Sequence, residues 1–263
     1  MKFTRLITLF CSLLVWGGLV RAQEPATAAW LVSNFDVTAN LNAEARSVGL
    51  RAALSVRNVG RGNGATLTVR LAQKAEVKAV TVNDATASFR VSPEPRGNLL
   101  RATITLPVAA APDSTVNVII DYNLPVAKNE GAQMLSPLGS QFLPASAWFP
   151  APNTIYAPRG MDVAPWRVTV NGLAAGETLL APGKLTENRV ETTLYGQPFF
   201  VTGNWDKTDA ANARVYLFKG ATAEEKARAQ ELLTLANAAR DPIPRADRRR
   251  AVPSRTGRRA DRR

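Results

Sequence analysis

Histidine is absent from the sequence, and Cys11 is its only cysteine. Without imidazole there is no His-Glu-x-x-His zinc site, no Ser-His-Asp triad and no Cys-His pair. The lone cysteine lies near the N-terminus within an apolar run, so the remainder of the chain forms no disulfide and has no thiolate for catalysis or metal ligation. No Gly-x-x-x-x-Gly-Lys-Ser/Thr phosphate loop is present, and no Gly-x-Gly-x-x-Gly follows a strand and opens a helix. Chemistry by paired carboxylates survives this filter, since a glycosidase needs only two placed acids. Asp36, Asp84, Asp121, Asp162 and Glu177 are scattered, however, and read as solvated residues placed mostly at turns. Long apolar runs are equally scarce. The one example, Leu6 to Leu19, is shorter than the roughly 20 residues that span a bilayer.

That run has the layout of a secretory signal peptide. Lys2 and Arg5 precede it, and Val20-Arg21-Ala22 supplies the small residues that a signal peptidase reads, so cleavage before Gln23 is expected. The mature chain is then exported to the periplasm or the extracellular space and keeps no transmembrane segment. Export without disulfides suits a bacterial envelope. The formal charge of +12 is carried by the ends. Setting aside +3 for residues 1–22 and +7 for residues 240–263 leaves +2 on residues 23–239. A body so nearly neutral has no general attraction for nucleic acid.

From about residue 30 the pattern has period two. Val48, Leu50, Ala52, Leu54 and Val56 alternate with small or polar residues, and so do Leu67, Val69 and Leu71 beyond Gly60-Arg-Gly-Asn-Gly64. Two such runs around a Gly/Asn cluster predict a hairpin. Further runs are Val80–Val82 before Asn83-Asp84, Phe89–Val91 before Pro-Glu-Pro, Leu100–Leu106, Val116–Tyr122, Trp166–Val170 before Asn171-Gly172, Val190–Leu194, Phe199–Thr202 and Val215–Phe218. Some ten short strands punctuated by turn residues predict a mainly β fold, an antiparallel β-sandwich or saddle-like multi-stranded domain over residues 23–220. Residues 131–165 are rich in proline and aromatics, show no period, and read as a packed connection.

One helix is expected, at residues 221–239. Thr222 with Glu225 forms a capping box, and Ala229, Leu232, Leu233, Ala236 and Ala239 recur at helical spacing. After it, residues 240–263 carry ten arginines, no lysine and no aromatic residue, a composition that cannot bury a core. The segment reads as out-of-frame translation of GC-rich DNA, with a true basic tail for anionic lipid or nucleic acid as the alternative.

Several segments together carry a resemblance. Gln141-Phe-Leu-Pro-Ala-Ser-Ala-Trp-Phe-Pro150 is followed by Pro165-Trp-Arg-Val-Thr-Val170, Gly172-Leu-Ala-Ala-Gly176 and Tyr195-Gly-Gln-Pro-Phe-Phe-Val-Thr-Gly-Asn-Trp205. They resemble the N-terminal β domain of the membrane alanyl aminopeptidase family of zinc metallopeptidases, and Tyr216-Leu-Phe-Lys-Gly with the following helix is similar to the approach to its thermolysin-like catalytic domain. The resemblance implies a saddle-shaped β structure. It also implies that Gln141 matches the glutamine that helps hold a substrate's free amino group, and that peptide substrate and zinc belong to a catalytic domain missing here. The chain itself is then expected to bind no cofactor and to have no catalytic residue. The Asp-Ala-Arg and Cys-x-Asp-Glu-Pro elements that surround Phe-Pro in typical members are missing. The Gly-x-Met-Glu-Asn and zinc motifs would lie beyond residue 240, so the chain is expected to be a fragment cut just as the catalytic domain begins. A stand-alone envelope module that binds a glycan or a protein partner is the second reading.

Overall fold

Period-two patterning produces strands whose alternate side chains enter one core. The structure is a computed structural model that describes residues 26–95, 97–154, 157–209 and 214–238. The expected signal peptide at 1–22, the arginine-rich segment 240–263, Tyr156 and Ala239 lie outside the described residues. The strands are, in chain order, β1 (Trp30–Asn42), β2 (Ser47–Asn58), β3 (Gly64–Ala72), β4 (Glu76–Val82), β5 (Ala85–Thr86), β6 (Phe89–Pro93), β7 (Leu99–Ala110), β8 (Thr115–Pro125), β9 (Gln133–Ser136) and β10 (Gly139–Phe142). After a single 3-10 turn at Pro144–Ser146 come β11 (Ala164–Asn171), β12 (Thr178–Leu180), β13 (Lys184–Thr186), β14 (Arg189–Gly196), β15 (Phe200–Gly203), β16 (Trp205–Asp209) and β17 (Arg214–Phe218). One helix, α1 (Ala223–Ala238), follows. The mainly β class with one late helix is thus the observed one.

Up to Asn204 the described residues form one compact unit. Its largest sheet has eight strands in the order β13-β14-β11-β1-β2-β8-β4-β5, with a three-stranded sheet β3-β7-β6 and a four-stranded sheet β12-β15-β10-β9 beside it. A single core draws Leu54 and Ile120 from the large sheet, Leu67 and Ile104 from the second, and Phe142 and Phe200 from the third, each at most 1% exposed. On β1 the register shifts between Val32 and Asn34, which lets Val32 and Phe35 both face inward despite their odd spacing.

Three sequence expectations are corrected. The sheet is not wholly antiparallel: β1 and β11 pair in parallel, with Phe35 opposite Trp166. Parallel neighbours require a long crossover, and here almost the entire domain intervenes. Gly60–Gly64 is not a hairpin turn, because β2 pairs with β1 and β8 whereas β3 pairs with β7. It is a crossing between two sheets, bound to the entering chain by Val59 N–H to Ala29 O at 2.7 Å and Arg61 N–H to Thr27 O at 3.1 Å. Close approach explains its glycines, since a Cβ on Gly62 would lie 1.9 Å from Ala26 O. The aperiodic stretch 131–165 contains β9, β10 and the start of β11, and it gives the core Phe142, Trp148 and Phe149. Those strands are too short for alternation to show. Where a two-residue turn does occur, at Asn83-Asp84 between β4 and β5, both residues have positive φ (48° and 65°), as a type I′ hairpin turn demands.

The residues from Trp205 form a second unit, so β16 and β17 group with α1, whereas the sequence reading extends the β domain to residue 220. Within it Trp205 and Phe218 stack at 4.3 Å between ring centroids. The capping box is present: Thr222 N–H donates to Glu225 Oε2 at 2.7 Å and Glu225 N–H to Thr222 Oγ1 at 3.2 Å. The expected apolar stripe is not buried throughout. Leu233 is buried and Ala229 half-buried, but Leu232 and Ala236 are exposed.

Candidate functional site

The segment Gln141–Pro150 starts on β10, which lies between β9 and β15. Gln141 points its amide outward, and Nε2 donates to Gly131 O at 2.7 Å. Phe142, its neighbour, faces inward and stacks on Phe200 at 5.1 Å. The chain then leaves the sheet through the Pro144–Ser146 turn, and Ala147 takes a left-handed conformation with φ 52°. This reversal sends Trp148 and Phe149 into the core together. Trp148 meets Phe200 edge-on at 5.1 Å, and Phe149 meets Phe35 edge-on at 5.4 Å. The polar atoms of this aromatic group are satisfied: Trp148 Nε1 donates to Pro198 O at 3.2 Å, and the Tyr122 hydroxyl donates to Trp148 O at 2.6 Å. Burial pushes the Tyr122 phenol well above its ordinary pKa.

Beyond Pro150 the chain is fastened to the end of β3. Arg70 N–H donates to Ala151 O at 2.8 Å, and Ala151 N–H returns to Arg70 O at 3.2 Å. Nε of Arg70 donates to Glu94 Oε2 at 3.0 Å, and Nη1 also bonds Pro152 O. Asp162 closes the following loop. It is fully buried and accepts from Asn153 N–H at 2.7 Å, Asn153 Nδ2 at 3.0 Å and Val32 N–H at 3.2 Å. Desolvation raises its pKa, opposed by those three hydrogen bonds and by the Arg70 charge. Asn153 Nδ2 also donates to Trp30 O at 2.7 Å, and Gln197 Nε2 donates to Asp162 O at 3.3 Å.

Arg70, Ala151, Asn153 and Gln197 border a cavity of about 960 Å³. Most of its wall is apolar, including Leu99, Leu143, Phe149, Met161, Val163 and Phe199, and Arg70, Asn153 and Gln197 are among its polar groups. Such a concave, largely apolar hollow with a few convergent polar groups has the form of a ligand site. Gln141 is not one of its lining residues.

The carboxylates do not converge. Asp36 on β1 pairs with Arg167, and Asp121 on β8 pairs with Arg51 at 2.8 Å, so both sit on strands rather than at turns. Glu177 accepts from Ala174 N–H at 2.9 Å within a turn. Among the described residues no group of three or more His, Cys, Asp or Glu could hold a metal ion, and no helix is long and apolar enough to cross a membrane. Sequence reasoning missed Asp162, Asn153, Arg70 and Gln197 as neighbours, for they lie far apart in the chain and each resembles a common turn or surface residue.

No protein-family model matches the sequence, and no curated protein matches it. Solved structures do share the fold. The structure of yeast leukotriene A4 hydrolase in complex with bestatin matches at a TM-score of 0.60 and 12% identity, covering 82% of this chain and 36% of that one. Native leukotriene A4 hydrolase from Saccharomyces cerevisiae matches at a TM-score of 0.58 and 13% identity, covering 80% of this chain. The match therefore spans about a third of the yeast enzyme's length (36%). At this identity the likeness is one of fold.

Proposed function

We propose that this chain is the non-catalytic N-terminal β domain of an exported zinc aminopeptidase-like metallopeptidase. One observation carries the reading. Gln141–Pro150, one of the segments that carry the aminopeptidase resemblance, supplies an inner strand of the four-stranded sheet and the aromatic centre of a fold shared with yeast leukotriene A4 hydrolase over 82% of this chain. Zinc belongs to the whole protein on this reading. The described residues do not fit it, since they bring no three candidate ligands together, and no step of peptide hydrolysis is assigned to them. Peptide substrate is likewise a partner of the accompanying catalytic domain, and nucleic acid is not a partner of the nearly neutral body.

Gln141 has one role within this proposal. Its Nε2 is engaged with Gly131 O, so its carbonyl oxygen is left to accept from an ammonium group. A substrate's free N-terminus brings such a donor.

The coding DNA tests the reading. A His-Glu-x-x-His sequence in any frame downstream of the codons for α1 supports it, and a downstream region without one in every frame overturns it. The purified chain is expected to hydrolyse no aminoacyl-arylamide and to retain no stoichiometric zinc after chelator washing, because it has no imidazole. Zinc measured at one equivalent by elemental analysis would contradict that expectation.

A further inference from the structure

We propose that the groove between the entering chain at Thr27–Trp30 and the free edge of β3 is a binding site for the carboxyl end of an extended peptide. The inference stands apart from the aminopeptidase reading, because it uses neither Gln141 nor a catalytic domain. The groove holds about 570 Å³ and is distinct from the apolar cavity, although Arg70 and Asn153 border both. Its wall is polar, with Asn63, Thr66, Thr68, Arg70 and Arg159 among the lining residues and no carboxylate among those described.

Strand register sets the shape of the ligand. Arg70 exchanges both of its backbone hydrogen bonds with Ala151, on the side away from β7. Bonding directions alternate along a strand, so Thr68, two residues back, also turns its N–H and C=O away from β7. Neither group has a partner among the described residues. Thr66 O, the next in that row, accepts from Trp30 Nε1 at 3.1 Å. The indole closes this end, lying where a Cβ on Gly64 would meet it at 2.4 Å. At the other end the neighbouring segment leaves β3 at Pro152, which has no N–H and whose carbonyl is taken by Arg70 Nη1. Between Trp30 and Pro152 the edge of β3 is a short open template, the arrangement by which a sheet takes up an extended peptide.

Charge sets which end of the peptide enters. Arg159 is exposed and has no ion pair among the described residues. Arg70 gives Nε to Glu94 and Nη1 to Pro152 O, which leaves the N–H groups of Nη2 for a ligand. On the outward face of the same sheet Arg101 stands opposite Arg70 and Arg90 opposite Thr103, and neither is in an ion pair among the described residues. Glu94 and the buried Asp162, the two carboxylates set beside Arg70, offset half the charge of these four arginines. The balance is positive, which favours a carboxylate over an ammonium or an amide in the groove. A planar guanidinium takes a carboxylate through two parallel N–H bonds.

The experiment follows the assigned amide spectrum of the purified, isotope-labelled chain at neutral pH. It is titrated with acetyl-Val-Thr-Val as the free acid, as the C-terminal amide and as the fully N-methylated acid. The free acid is expected to bind saturably, to shift the Thr68 amide signal and to slow its exchange with solvent. The amide is expected to bind about tenfold more weakly, having lost the charge-assisted bonds. The N-methylated acid is expected to leave Thr68 unmoved, since it cannot pair with a strand edge. Arg159→Gln changes an exposed side chain and should weaken the free acid about tenfold while affinity for the amide is unchanged. Arg90→Gln, on the same sheet but outside the groove, should alter neither. Should Arg159→Gln misfold, the comparison of acid with amide decides the charge assignment. Absence of a saturable shift at Thr68 with the free acid overturns the proposal. So does an amide that binds as tightly as the acid, an unchanged affinity in folded Arg159→Gln, or an equal loss in Arg90→Gln. Acetate that binds at Thr68 as tightly as the peptide would mark an anion site alone and overturn it as well.

Discussion

Asn58 shows how one polar side chain can fix a crossing between sheets. It is fully buried at the end of β2, where its Oδ1 accepts from Gly60 N–H at 3.0 Å and Ala29 N–H at 3.2 Å. Its Nδ2 donates to Gly62 O at 2.9 Å and Ala110 O at 3.0 Å. Asn58→Ala strands two donors and two acceptors and is expected to cost about 3 kcal/mol in urea unfolding; a loss below about 1 kcal/mol would show that water replaces the amide. Asp162 offers a second test at this scale. Burial raises its pKa, so the folded chain holds that proton more tightly than the unfolded chain. Its contribution to stability is greatest below the unfolded pKa, falls as pH rises from there to the folded pKa, and is constant above. Asp162→Asn removes this dependence and also sets an amide N–H against Asn153 N–H. The variant should be less stable, and its deficit relative to the natural chain should be larger near pH 4 than near pH 7. A deficit that grows towards neutral pH would contradict the assignment.

Glycine positions distinguish a strand that tolerates a side chain from a crossing that does not. A Cβ on Gly49, within β2, finds its nearest neighbour at 3.8 Å, whereas on Gly62 it meets Ala26 O at 1.9 Å. Gly49→Ala is accordingly expected to change stability by no more than about 0.5 kcal/mol, and Gly62→Ala to cost about 2 kcal/mol or more as the entering chain is forced off. Matched denaturation curves check the contrast, and equal effects would refute it. In α1 only Leu233 is buried among the leucines of the helix, and a single-helix segment of this length is marginal in water without tertiary support. Its amides should exchange with solvent much faster than those of Val116–Tyr122 in β8. The capping carboxyl of Glu225 is held below the usual range by Thr222 N–H and the Thr222 hydroxyl. That contribution is present above the unfolded pKa and is lost as pH falls through the lower folded value, so exchange in the first turn of α1 should accelerate in acid relative to the intrinsic rate. Equal protection of α1 and β8 would show that the helix is as firmly held as the sheet.

The order of pairing in the large sheet fixes how the whole molecule must assemble. β1 and β2 are joined by a short turn, while β1 and β11 meet across a separation of 131 residues, as the Asp36–Arg167 pair records. Loop-closure entropy must be overcome before such a contact gives anything back. Refolding from denaturant is therefore expected to be slow for the chain's size, with amides of the β1–β2 ladder protected before those of β11 in a pulse-labelling experiment. Simultaneous protection of β1, β2 and β11 at the earliest times would contradict this order.

Composition and periodicity alone determined the class of the protein. Exclusion of histidine chemistry follows from counting residues. The inward faces of β2, β7 and β8 follow from alternation, which is visible wherever a strand is long and one side of it is wet. The capping box at Thr222 and the presence of a turn at Asn83-Asp84 were legible because each depends on a few neighbouring residues, whereas the I′ type of that turn came from its φ angles. Tertiary structure decided what depends on distant partners. The parallel β1–β11 pair, the role of Gly60–Gly64 as a crossing and the burial of Trp148 and Phe149 are set by segments far away in sequence. The cavity is the clearest case. Arg70, Asn153 and Gln197 become one wall only when the end of β3, the loop before β11 and the segment leading into β15 are brought together, and periodicity, being a property of neighbours in the chain, does not encode which distant strands will meet.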